Sequence, residues 1–179
     1  MSRSIVDYFS QNYDKLVKTS VLICSRFSKN PSAIGEDVLH DVAVVLCKKE
    51  QELTDVKDFG AYIAVCIRRS AINYVKKSSR AIPIDMEMIT NELDKCDAGS
   101  EYDYSEWVAS LEKHLQRFDP RMQKAFIAHY IDDVPSTRLA AELGITEKAL
   151  SLRFARMRKE LHDKAPSMFK HLNILLMIR

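Results

Sequence analysis

Turn-forming residues are scarce in this chain: four glycines and five prolines in 179 residues. A sheet of many short strands needs far more of them, whereas Leu, Ala, Lys and Glu are plentiful and favour helices. An all-α fold is therefore expected. Long apolar runs are also lacking. The longest lies near the C-terminus and is too short to span a bilayer, and residues 1–20 hold no apolar signal core. The four cysteines, Cys24, Cys47, Cys66 and Cys96, include no pair at the two-residue spacing of a zinc knuckle or redox motif. Three of them sit in apolar helical stretches, as reduced core thiols do, which fits a cytoplasmic chain. The five histidines are scattered, so no metal site is expected. Nor is there a glycine-rich phosphate loop, or a nucleophile with an identifiable base. The sequence reads as a non-enzyme without a cofactor.

A large excess of one charge is missing too, the net charge being only +2. That total hides an uneven pattern. Arg68, Arg69, Lys76, Lys77 and Arg80 form one basic cluster, and Arg153, Arg156, Arg158 and Lys159 form another. Between them, residues 81–106 carry eight acids against the single Lys95. Two basic segments around an acidic one suit two nucleic-acid contacts joined by a connector. Each cluster taken alone suits a solvated helix face equally well.

Apolar spacing predicts helices over 5–28, from about Gly35 to Lys49, and from about Phe59 to Ser78 behind an Asp58 cap. Asn30-Pro31 reads as a break, and Glu50–Lys57 as a loop or frayed turn. Residues 81–104 read as a linker. Helices resume at about Ser105, and Asp119-Pro120 is a specific helix start. A short helix from Ser136 should stop at Gly144, with Thr146 capping the next. Leu139, Ala140, Ile145, Leu150, Phe154, Met157 and Leu161 would then face one core. Lys148, Ser151, Arg153, Arg156 and Lys159 would lie opposite. This is the form of a DNA-reading helix-turn-helix. The apolar tail, 164–179, holds Phe169, Leu172, Leu175, Leu176 and Ile178. It should pack on the chain or dock a partner.

Phe59-Gly-Ala-Tyr-Ile-Ala-Val-Cys-Ile-Arg-Arg-Ser-Ala-Ile-Asn-Tyr-Val-Lys-Lys77 resembles, without a gap, the Phe-x-Ala-Trp-Leu-x-x-Ile-Ala-Arg-Asn-x-x-x-Asp-Tyr-x-Arg-Arg segment of extracytoplasmic-function sigma factors of bacterial RNA polymerase. Gly35-Glu-Asp-Val-Leu-His-Asp-Val-Ala-Val-Val-Leu46 resembles their Ala-Glu-Asp-Leu-Val-Gln-Glu-Thr-Phe-Leu-x-Leu helix. Arg80-Ala-Ile-Pro-Ile-Asp85 resembles the Val-Pro-Leu-Asp that opens their linker, and 136–161 resembles their region 4.

The resemblance implies two small helical domains: region 2 at 5–80, and region 4 at 105–163, with the linker and the extension at 164–179 outside them. Asp37, His40, Asp41 and Val44 would face the β′ clamp helices of core polymerase. The loop from Lys48 to Asp58 would capture an unstacked base. Phe59, Tyr62, Arg68, Arg69, Lys76 and Lys77 would meet the −10 element. Lys148, Ser151, Leu152, Arg153, Arg156 and Arg158 would meet the −35 element. Promoter DNA, the β flap and an anti-sigma factor are the further implied partners, and the nucleoid the implied location. Phe59 and Tyr62 suit a core equally well. The chain departs from the pattern at His40-Asp41 in place of Gln-Glu, at Ala43 and Cys47 in place of Phe and Trp, and at Ser151 and Leu152. A polymerase-independent helix-turn-helix regulator is the alternative reading.

Overall fold

The computed structural model describes residues 4–25, 28–78 and 104–178. Apart from Tyr104, the expected linker falls outside them, as do Arg80 and Cys96. Among the described residues the chain is all-helical, with eight α-helices and no strand.

Helix α1 (Ile5–Cys24) starts on Ser4, whose hydroxyl accepts from the Val6 and Asp7 N–H groups. It stops a turn earlier than its apolar spacing suggests. The Ser25 hydroxyl donates to the Leu22 carbonyl at 2.7 Å, drawing off one of the helix's terminal acceptors. Helix α2 (Pro31–Lys48) begins four residues before the expected Gly35. Pro31 does not break this helix but opens it. At the first helical position its missing N–H is not needed.

Gly35 therefore lies inside α2, and it does so where α1 crosses. A Cβ there would stand 2.8 Å from Val21 N and 2.9 Å from Val21 Cα, both backbone atoms. The buried Ser20 hydroxyl also donates to Gly35 O at 2.7 Å. Gly35→Ala is expected to lower stability despite the roughly 1 kcal/mol of helix propensity that alanine gains. Forcing two backbones apart costs about 1–3 kcal/mol. Thermal unfolding checks this, and an unchanged or raised Tm would mean that the two helices separate freely.

A 3₁₀ turn (Glu50–Glu52) leads to α3 (Phe59–Ser78), where Asp58 Oδ1 accepts from Ala61 N–H at 3.0 Å. Helix α3 is buried on nearly every side. It packs on α1 and α2 along one flank and on α4 (Tyr104–Leu115) and α8 (Pro166–Leu175) along the other. Most of its buried positions are apolar, but Arg68, Arg69 and Ser70 are buried among them. Helices α5 (Pro120–Tyr130), α6 (Ser136–Leu143) and α7 (Glu147–Lys164) complete the second half. Asp119 caps α5 as its sequence signal predicts, accepting from Arg121 N–H at 2.9 Å.

The C-terminal tail forms α8 and packs on the chain itself, burying Met168, His171, Leu172, Ile174, Leu175 and Ile178. One apolar core consequently runs from Ile5 through α3 to Ile178, so the two halves expected at 5–80 and 105–163 share it.

Candidate nucleic-acid interface

Helices α6 and α7 meet at a turn built by local chemistry. Gly144 adopts φ 65° and ψ 32°, in the left-handed region. Its N–H donates to Ala141 O at 3.1 Å, and Ile145 N–H donates to Ala140 O at 3.0 Å. That pair of bonds satisfies the last carbonyls of α6 and redirects the chain. A Cβ at Gly144 would meet nothing within 4 Å, so the backbone conformation, not crowding, calls for glycine. Thr146 Oγ1 then accepts from Ala149 N–H at 3.2 Å and starts α7.

Helix α7 buries Leu150, Phe154, Met157 and Leu161. The Phe154 ring meets Phe126 edge-on at 5.5 Å and stacks on His129 at 5.3 Å. This fixes the rotation of α7 and leaves Lys148, Ser151, Leu152, Arg153 and Arg156 exposed, with Leu152 58% accessible. Arg153 rests beside α5, its Nη1 3.8 Å from Met122 Sδ. Arg158 departs from the expected face. It is half-buried, donates to Asn173 Oδ1 at 3.1 Å, and lies over the Tyr130 and Phe169 rings at 5.8 and 5.7 Å. It sits one turn beyond Phe154, beside the buried stripe, and α8 claims it there.

On α2, Asp37, His40, Asp41 and Val44 form one exposed stripe at i, i+3, i+4 and i+7, while Val38, Leu39, Val42 and Leu46 are buried opposite. Cys47, one residue before the end of α2, is half-buried. Its thiol is pushed up by burial, and by Glu50 in second place.

The cations of α3 lie elsewhere than expected. Of the six α3 residues that the resemblance assigns to DNA, only Lys77 is exposed. Phe59 packs on Tyr8, with ring centroids 5.6 Å apart. Tyr62 is wholly buried between Trp107 and His171 and donates its hydroxyl to His171 O at 2.8 Å. Arg68, 3% exposed, pairs with Asp132 at 2.9 Å. Arg69 donates to Tyr130 O at 2.6 Å and faces Asp133 at 3.5 Å. Lys76 holds Asp133 Oδ2 at 2.5 Å. In this conformation these five residues face protein, not solvent. Asp133 adopts φ 55°, a positive angle that Asp tolerates better than most residues. Asp132 and Asp133 lie between α5 and α6.

No family model, curated protein or solved structure matches this chain. Function has to be read from its own side chains.

A cavity of about 520 Å³ opens between the Asp55–Asp58 loop, α4 and α8, with Trp107, His114, Met168 and His171 in its wall. His171 Nε2 lies 3.0 Å from Asp55 Oδ1, and Ser167 donates to the other oxygen of that carboxylate. Burial holds the His171 pKa below its ordinary 6.5, with nearby Lys170 acting the same way and Asp55 opposing both. A depressed histidine pKa means that the folded state takes up its proton later than the unfolded one. The His171 contribution to stability is thus full above about pH 6.5 and declines as pH falls below it. Tm measured from pH 8 down to pH 5 should drop more in the wild type than in His171→Gln. Parallel profiles would count against a neutral, buried His171. Among the described residues no group of His, Cys, Asp or Glu side chains could hold a metal ion, and no helix is long and apolar enough to cross a membrane.

Proposed function

We propose that this chain is a promoter-recognition subunit of RNA polymerase, of the extracytoplasmic-function sigma type. The observation that carries the reading is the α6–Gly144–α7 unit with its exposed Lys148, Ser151, Arg153 and Arg156. A helix held this way, with cations outward, suits the major groove of a −35 element. The exposed α2 stripe supports the polymerase contact, being polar at Asp37, His40 and Asp41 and apolar at Val44. The resemblance of 35–46 and 59–77 to the family adds the order of the parts. Burial of the α3 cations favours a second reading, a regulator that binds duplex DNA through α7 alone and needs no polymerase.

Capture on core RNA polymerase followed by run-off transcription separates the two. A sigma subunit is retained and directs specific initiation, while the regulator is not retained. Asp41→Lys combined with His40→Glu should abolish that retention. Unaffected capture would mean that α2 is not the polymerase surface.

Arg153 and Arg156 are expected to differ in their effects. Arg153→Ala should cost about 1–3 kcal/mol on the preferred site and relax specificity there. Arg156→Ala should weaken all sequences alike and reduce the salt slope by about one. Binding to promoter variants across salt concentrations reads both. Equal, sequence-independent losses would leave α7 as an electrostatic anchor only.

A further inference from the structure

We propose that the cavity between the Asp55–Asp58 loop, α4 and α8 is a binding site for a small organic amine, its ammonium held by acceptor groups and its apolar body laid against Trp107 and Met168. The inference goes beyond the promoter reading and holds whether or not the chain binds polymerase. At about 520 Å³ the cavity falls within the roughly 300–1,000 Å³ usual for small-molecule sites. Val56, Ala61, Trp107 and Met168 give it a largely apolar wall.

The polar groups that reach the cavity are mostly acceptors. The ionised Asp55 carboxylate can only accept, so His171 Nε2, 3.0 Å from its Oδ1, carries the proton of that bond. Burial favours the neutral ring, which leaves a lone pair on Nδ1. That nitrogen makes no hydrogen bond among the described residues, and it is not sealed off from open space. His171 is only 5% exposed and lines the cavity, so the space that Nδ1 meets is the cavity itself. Three carboxylates in the wall, Asp55, Asp58 and Glu106, stand against one lysine, Lys57. Such a set favours a ligand that donates hydrogen bonds and carries positive charge, and disfavours an anion.

Trp107 supports the same ligand. Its indole N–H is buried and finds no acceptor among the described residues. Phenylalanine would fill a core without leaving a donor unpaired. What the indole adds is the aromatic face that attracts cations most strongly. Tyr62, outside the cavity wall, packs on the ring with centroids 5.7 Å apart and holds it in place.

Trp107 is the chain's sole tryptophan, so its fluorescence reports occupancy of the cavity directly. The full chain is titrated with phenylbutylamine, phenylbutanol and phenylvalerate, which share one apolar body and end in ammonium, hydroxyl and carboxylate. Excitation at the red edge of indole absorption spares the phenyl ring. The amine should change the emission saturably at roughly millimolar concentration or below, and bind at least tenfold more tightly than the alcohol, with the acid weakest. It should also raise Tm, as a ligand of the folded state does. Asp58→Asn combined with Glu106→Gln should close most of the gap between amine and alcohol and leave the alcohol's affinity unchanged. Asparagine still caps α3 in that variant. Ser110→Phe, which adds a ring to the cavity wall from an exposed position on α4, should weaken amine and alcohol alike. An amine bound no better than the alcohol overturns the proposal. So does the absence of saturable amine binding by both fluorescence and equilibrium dialysis. Binding that survives Ser110→Phe in full overturns it too, by placing the amine elsewhere. If a variant loses its helical circular dichroism, the ranking of the three probes on the unaltered chain still decides.

Discussion

Phe126→Ala is expected to lower stability by about 3–5 kcal/mol, as emptying an aromatic site in a packed core does. For a chain of this size that is a Tm fall of roughly 6–20 °C. Phe126 is fully buried, with Tyr130 at 4.4 Å and Phe154 at 5.5 Å between ring centroids. The residue is the floor under α7, because Phe154 sets the rotation of that helix. On the proposed reading DNA binding should fall with folding, and urea unfolding monitored by circular dichroism reads the loss of stability. A change below about 1 kcal/mol, a size usual for surface substitutions, would mean that the site refills.

Removing residues 166–179 should have an effect of similar size or larger. Met168, Leu172, Ile174, Leu175 and Ile178 are all buried, and fully burying such side chains contributes about 1.5–3 kcal/mol each before entropy is subtracted. The deletion also strips the acceptors from the Tyr62 hydroxyl and the Asn73 amide. A net loss on the order of 5 kcal/mol is expected, partly because a buried hydroxyl left unpaired is itself costly. Differential scanning calorimetry of the shortened chain checks this. An unchanged Tm with altered transcription would make the tail a docking segment instead of part of the core.

The helix-turn-helix was legible because its signals are local. Asp119-Pro120, Gly144 and Thr146 each act within four residues of themselves, and the structure puts all of them to the use their chemistry predicts. The apolar stripe of α7 was legible for the same reason. The environment of α3 was not. Arginines are seldom buried, so Arg68 and Arg69 read as solvent-facing. Their partners lie 64 residues away at Asp132 and 61 away at Tyr130, and nothing near either end announces the pairing. Gly35 misled in a related way. Its role is a close crossing with Val21, a fact about two helices that one helix's spacing does not contain. Pro31 obeys two local rules at once, standing between α1 and α2 and filling the first helical position of α2. Arg158 had the right charge on the right helix, and only the fold of the tail decided that it would turn toward Asn173.

The distance along the chain between α3 and its covering has a consequence during synthesis. The Tyr62 hydroxyl waits for a carbonyl 109 residues downstream, and Asn73 for one 105 residues downstream. At roughly 5–20 residues per second, a ribosome leaves that face uncovered for about 5–20 s. A nascent chain also passes through an interval of roughly 3–13 s in which Arg68 has been made and Asp132, 64 residues downstream, has not.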